Sequence, residues 1–285
     1  MFKSFKGEIP KTKFIPLYRP RIVVECPNMA EMIPRLRKVI GATWAEDINE
    51  AMSIGDEDKL FKGTALWQGL EYLQFFITIQ DVSRIFTHQL VRTRIGATYS
   101  QQCSGDADWR HHDILYPPSI TPTIAEKYVR RALQNKMDYA EFIDDGGSVQ
   151  EARYLIQQNY STFIIMNINL AALAPFIKKR LCHQTQCWEM IAVAREIRRQ
   201  ILESYELFAP MLSDDCAEGK CFWARSIKAG DPDAHTNLYK EDGTHFDRSY
   251  SDVPSVYPKG HYEMIKGNED GHFYYEGSTK VESWD

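Results

Sequence analysis

Apolar and polar residues alternate along this chain in a way that marks strands and brackets helices. Residues 21–26 (RIVVEC) form a short apolar run of the kind found in a buried strand. Residues 71–80 (EYLQFFITIQ) put Leu73, Phe75, Ile77 and Ile79 on one side, which predicts a strand with one well-buried face. That strand leads into Asp81 and Ser83, both suited to cap a helix reaching Arg92. Residues 29–40 predict a helix interrupted at Pro34. Residues 124–143 carry Val129, Ala132, Leu133, Ala140 and Ile143 near helical spacing, and Asp144-Asp145-Gly146-Gly147 stops them. Ser148 and Glu151 then have the spacing of a capping box. Residues 160–166 read as a strand, Asn169 as the cap of a helix running to Arg180 with a kink at Pro175, and residues 188–208 as a long helix. Strands and helices are therefore mixed. Past Cys221 the long periodicities end, and residues 222–285 read as an irregular extension packed on a body of residues 1–221, its aromatics arguing against full disorder.

Composition narrows the class. The 285 residues are 44% hydrophobic and 26% charged, enough to bury a substantial core. A net charge of -5 leaves no general cationic excess for a nucleic-acid partner, although a local basic pocket for one phosphate remains compatible with it. No apolar run has the length of a membrane span, and the lysine-rich start lacks the apolar core of a secretory signal. Six cysteines in a chain of this length are too few for a disulfide framework. The expected setting is the cytoplasm, without a membrane.

Chemistry concentrates in residues 87–110 (THQLVRTRIGATYSQQCSGDADWR). Gln89 and Arg92 share one helix face, and Arg94 follows beside a turn marked by Gly96. Ser100, Gln101, Gln102, Cys103 and Ser104 add small donors and acceptors. Guanidinium groups fork a phosphate and glutamine reads amide-like edges, so the set suits a phosphorylated heterocycle. The same residues also suit a solvated helix end followed by a polar loop.

At this point the sequence resembles the flavin-dependent thymidylate synthases. Arg92 and Arg94 match the outer arginines of that family's Arg-His-Arg signature, with HQLV leading in and SQQ following; Cys103 falls at the family's serine, beside Ser104. Downstream, Ala152-Arg153, the strand at 160–166, Asn169, Arg180 and Trp188-Glu189 follow the family order. The resemblance covers roughly residues 60–210. It implies an α/β (α+β) fold with a central antiparallel sheet flanked by helices. It also implies a homotetramer that moves a one-carbon unit from methylenetetrahydrofolate to C5 of a uridine monophosphate, with FAD as cofactor and NADPH as reductant. Arg92, Thr93, Arg94, Gln101, Asn169 and Trp67 would then face the flavin. Gln89, Arg92, Gln101, Gln102, Cys103, Ser104, Arg153 and Arg180 would face the nucleotide. Arg153 is implied on the phosphate, and Arg180 against the uracil as the catalytic group.

The family pattern breaks mainly on the flavin side. Thr93 replaces the central histidine, Trp67 an upstream one, Ala171 an arginine and Pro175 a polar residue, while Gly105 stands at another arginine for which Arg110 is the candidate substitute. These departures motivate two alternatives: a hydroxymethylase-type variant on the same scaffold, or a catalytically silent nucleotide-binding subunit. Cys182, His183, Cys187, Cys216 and Cys221 are of the right type for zinc, but their spacing is loose and buried inert thiols are commoner, so no metal is expected. His111-His112-Asp113 is read as a polar loop near the nucleotide, and Asp144-Asp145 as surface.

Overall fold

The computed structural model describes residues 12–16, 20–63, 67–116, 122–181, 188–212 and 273–275. Four strands form the main sheet: β2 (Arg21–Glu25), β3 (Gln74–Val82), β4 (Ala97–Gln101) and β6 (Thr162–Asn169), in the order β2-β3-β6-β4 and antiparallel throughout. A second sheet joins β1 (Thr12–Pro16) in parallel to β5 (Ile114–Tyr116) and antiparallel to β7 (Phe273–Tyr275). The helices are α1 (Met29–Gly41), α2 (Ala51–Ile54), α3 (Glu57–Phe61), α4 (Arg84–Leu90), α5 (Pro122–Asp144), α6 (Val149–Ala152), α7 (Leu170–Arg180) and α8 (Trp188–Ser204).

The expected alternation in β3 sets the core. Phe75, Ile77 and Ile79 are fully buried and pair across the sheet with Ile168, Met166 and Ile164 of β6. Each such side chain taken from water contributes roughly 1.5–3 kcal/mol. Residues of α1, α7 and α8 close over this face in one cluster with Leu36, Leu173, Ile177, Val193 and Ile197. The opposite face carries the exposed Val23, Phe76 and Phe163. On α8, Gln200 lies along the free edge of β2: its Oε1 accepts from Val24 N at 2.9 Å and its Nε2 donates to Ile22 O at 2.8 Å. A side-chain amide thus answers backbone groups that an edge strand leaves open. A smaller cluster of Trp109, Tyr139, Ala152 and Tyr160 lies beside α5.

Several boundaries differ from the sequence expectation for local reasons. β3 begins at Gln74 because residues 67–72 form a 3-10 turn. Asp81 is no cap: it has φ 59 at a register shift in β3, and Arg21 forms an ion pair with its carboxylate. Ser83 caps α4 alone, its Oγ accepting from Phe86 N, and α4 ends at Leu90 rather than Arg92. α1 runs through Pro34 without a break. Proline's φ suits a helix, and the lost bond leaves only the carbonyl of exposed Ala30, which water can reach. α7 likewise continues through Pro175. α8 stops at Ser204, and residues 206–208 form a 3-10 turn. The strand expected at 160–166 spans Thr162–Asn169 and delivers Asn169 directly to the start of α7. The boundary between 221 and 222 lies outside the described residues, as do Cys182, His183, Cys187, Cys216 and Cys221. Among the described residues, no helix is long and apolar enough to cross a membrane, and no three His, Cys, Asp or Glu cluster as a metal site.

Candidate active site

The α4–β4 connection, the 3-10 turn at 67–72 and one face of α7 along its whole length enclose a cleft of ≈ 1130 Å³. Its wall includes Trp67, Gln89, Arg92, Thr93, Arg94, Asn169 and Arg180, seven residues that the sequence singled out. Glu71, Ala171, Pro175 and Lys179 also line it. The connection is held from both ends. Tyr99 of β4 donates its hydroxyl to Thr93 O at 2.7 Å and lies 3.2 Å from Leu90 O, so one phenol pins the loop that carries both arginines. Burial pushes the Tyr99 hydroxyl up to about 12, against the Arg180 charge, which favours ionisation. At the other end Asn169 N donates to Gly96 O at 2.9 Å. Gly96 has φ +75, and a Cβ there would stand 2.7 Å from Asn169 Oδ1, so glycine is required on both counts.

Asn169 has a structural duty within the cleft. Its Oδ1 caps α7 by accepting from Ala172 N at 2.9 Å, which leaves the amide nitrogen as its free polar group toward a ligand. Arg180 closes the far side: its Nη2 donates to Gln89 O at 3.1 Å and its guanidinium lies 5.8 Å from the centre of the Phe176 ring. The bond fixes the end of α4 against the end of α7. Among the described residues, the side chains of Arg92, Arg94, Lys179 and Glu71 make no hydrogen bond or ion pair, and none of the four is buried. Three unpaired cations against the single carboxylate of Glu71, with a half-exposed Trp67, make a net-positive anion site with a flat apolar neighbour.

The start of α4 is fixed by a residue the sequence reading noted only as part of a Trp-Glu pair. Glu189 of α8 is 2% exposed; its carboxylate accepts from Ser83 N at 2.5 Å and from Ser83 Oγ at 2.6 Å. Burial raises this carboxyl to about 7, the Ser83 hydrogen bonds pulling the other way.

Gln101, Gln102, Cys103, Ser104 and Arg153 do not line this cleft. They gather at the other end of β4. Gln101 Nε2 donates to Thr87 Oγ1 at 2.9 Å. Gln102 Oε1 accepts from Thr162 Oγ1 at 3.1 Å, and its Nε2 lies 3.3 Å from His112 Nε2. Cys103 is exposed, and Ser104 O accepts from Trp109 Nε1 at 3.0 Å. Trp109 packs with Ala152, and Gln150 Nε2 donates to Gly105 O at 3.1 Å, which brings the 101–105 segment beside the half-buried Arg153. The Arg153 guanidinium lies 5.4 Å from the ring centre of exposed Tyr154. Arg110 is held by Asp108 and Asp144. His112 lies against Trp109 with ring centres 4.2 Å apart, and burial lowers its pKa despite the bond to Ser161 O. The two patches stand five strand residues apart, about 16 Å. Sequence reasoning missed Glu71, Tyr99 and Lys179; only Glu71, in step with Trp67 at one helical turn, offered a signal.

Comparison with known proteins gives the family. The family model described as thymidylate synthase complementing protein matches residues 41–205. The flavin-dependent thymidylate synthase of Sulfurisphaera tokodaii is 27% identical over 172 residues, which is 59% of this chain and 65% of that protein. That of Nitratidesulfovibrio vulgaris is 33% identical over 135 residues, 44% of this chain and 54% of that protein. The chain thus matches between about half and two thirds of the length of these relatives. A crystal structure of thymidylate synthase X from Helicobacter pylori with FAD and dUMP superposes with a TM-score of 0.51 at 16% identity, covering 68% of this chain and 99% of that one, a likeness of fold. With the family model spanning more than half of its residues, this chain belongs to the thymidylate synthase complementing protein family.

Proposed function

We propose that this protein transfers a one-carbon unit from methylenetetrahydrofolate to C5 of a uridine monophosphate, dUMP before UMP, with FAD as cofactor and NADPH as reductant. The observation that carries the reading is the convergence of Arg92, Arg94, Lys179 and Arg180 on one open cleft beside Trp67. These residues suit the group: the guanidinium groups of Arg92 and Arg94 and the Lys179 ammonium answer a pyrophosphate, and an exposed indole answers a flat ring. Arg92, Thr93, Arg94, Asn169 and Trp67 would hold the flavin, which when bound supplies the hydride that completes a methyl group. Gln89 and Arg180 would meet the pyrimidine. A guanidinium against its O4 edge stabilises negative charge on the ring, which favours bond formation from C5 to the one-carbon unit. Arg180 is the catalytic residue in this reading, and its bond to Gln89 O holds it in position.

Gln101, Gln102, Cys103, Ser104 and Arg153 complete the nucleotide site from a neighbouring copy, within a cytoplasmic homotetramer. Their separation from the cleft within one chain supports this assembly, since a mononucleotide is shorter than the gap. A second reading, a hydroxymethyl product without the final reduction, is favoured by Thr93, Ala171 and Pro175 in the cleft wall, none of which offers the side-chain charge expected of a flavin contact.

Purified protein loaded with FAD should absorb near ~450 nm and convert dUMP with methylenetetrahydrofolate to a product whose mass identifies the transferred group. A colourless protein that cannot be loaded sinks the flavin reading. Mixing inactive Arg180→Ala and Arg153→Ala chains tests the assembly. Sites shared between copies regain activity on mixing, whereas sites built within one chain stay dead.

A further inference from the structure

Proline occupies the sixth position of two helices here, Pro34 in α1 and Pro175 in α7. Proline has no N–H, so the carbonyl four residues earlier loses its helical partner. For Pro34 that carbonyl belongs to Ala30 on the outer surface. For Pro175 it belongs to Ala171, which is half-buried and lines the cleft, as do Pro175 and Lys179 on successive turns of the same face. A helical carbonyl points along the axis toward the following turn. The Ala171 oxygen therefore points toward Pro175, and both residues line the cleft.

The cleft that it faces is lined mainly by donors, Gln89, Arg92, Arg94, Lys179 and Arg180, with Glu71 as the one carboxylate. A cyclic imide, the unit shared by uracil and the isoalloxazine ring, presents one N–H between two carbonyl oxygens. A backbone acceptor in a cleft rich in donors is its complement. We propose that the Ala171 carbonyl, freed by Pro175, accepts the imide N–H of the heterocycle bound in this cleft, with neighbouring cationic side chains on the flanking ring carbonyls. This rests on the function proposed above and deepens it: Pro175 acts as a specificity residue through the backbone. Proline is the least favourable residue in a helix interior, and keeping it at a binding surface exchanges stability for recognition.

The test is Pro175→Ala, which restores the N–H and satisfies Ala171 internally. Binding is measured by calorimetry with dUMP, N3-methyl-dUMP, FAD and N3-methyl-FAD on wild type and variant. The melting temperature should rise by several degrees. Affinity for one imide ligand should fall by about tenfold, while its N3-methyl derivative, already weakened on wild type, is unchanged by the substitution. Loss confined to dUMP assigns the acceptor to uracil; loss confined to FAD assigns it to the isoalloxazine. A variant that binds both parent ligands as wild type does overturns the inference, and so does an equal loss for parent and N3-methyl ligands. Wild-type protein that binds neither ligand removes the proposed function and this inference together.

Discussion

Replacing Glu189 by glutamine should give a protein whose stability relative to wild type grows as pH rises. The carboxyl is 2% exposed, and burial raises it from the ordinary glutamate value of 4.5 to about 7. A group held above its unfolded value stabilises the fold fully below the unfolded value, and that contribution is lost as pH rises through the folded one. At about 1.4 kcal/mol per tenfold change in proton affinity, ionising Glu189 in place costs the native state about 3 kcal/mol. Glutamine does not ionise. It retains one acceptor for Ser83 N, and its NH₂ meets Ser83 Oγ as the hydroxyl of the protonated acid does, so the two side chains are matched at acid pH. Near pH 4.5 the two proteins should therefore be equally stable to within about 1 kcal/mol, and near pH 8.5 the variant should be about 3 kcal/mol more stable. Urea titrations of both proteins across this range measure the difference directly, and other titrating groups largely cancel in it. A difference that stays constant from acid to alkaline pH refutes the buried, proton-binding carboxylate. Because Ser83 opens the helix that carries Gln89 and ends at Leu90, two residues before Arg92, ligand affinity in wild type should weaken over the same interval, while the glutamine variant stays flat.

Two further substitutions probe the loop that carries the arginines. Tyr99→Phe removes the hydroxyl that reaches Thr93 O and Leu90 O, so unfolding free energy should fall by about 1 kcal/mol, and hydrogen exchange at residues 91–96 should quicken. Gly96→Ala puts a methyl 2.7 Å from Asn169 Oδ1 and 2.9 Å from Ala172 Cβ at φ +75, which should cost on the order of 2–4 kcal/mol in denaturant titration and weaken nucleotide binding with it.

The sequence disclosed the parts of this fold that depend on local chemistry. Ser83, Ser148 and Asn169 cap helices as their side chains predict, and Phe75, Ile77 and Ile79 are buried as their alternation predicts. β4 was hidden because its outward residues Thr98 and Ser100 are polar and its inward row of Ala97, Tyr99 and Gln101 contains no aliphatic run. What makes that segment a strand is β6 beside it, and pairing of that range is invisible to a local pattern. Pro34 shows the opposite balance: local chemistry favours a break, and the packing of α1 on the sheet outweighs one missing hydrogen bond.

The site divides along the same line. Arg92 and Arg94 could be found because a guanidinium advertises its chemistry in one letter, whereas Asn169 and Arg180 came to the site through the family resemblance. Tyr99, Gly96 and Glu189 act on backbone groups at the ends of α4 and of the loop after it, so their importance depends on where the chain returns. The position of the arginines is therefore less a property of the arginines than of three small constraints: a phenol beneath the loop, a glycine pressed on Asn169, and a carboxylate at the far end of a seven-residue helix. A helix that short has little stability of its own. Held at Ser83 by Glu189 and at Gln89 by Arg180, it keeps the cleft wall in place only while both contacts persist. Arg180 accordingly carries two loads, and a change there that spares charge but loses the Gln89 bond should damage positioning before it damages electrostatics.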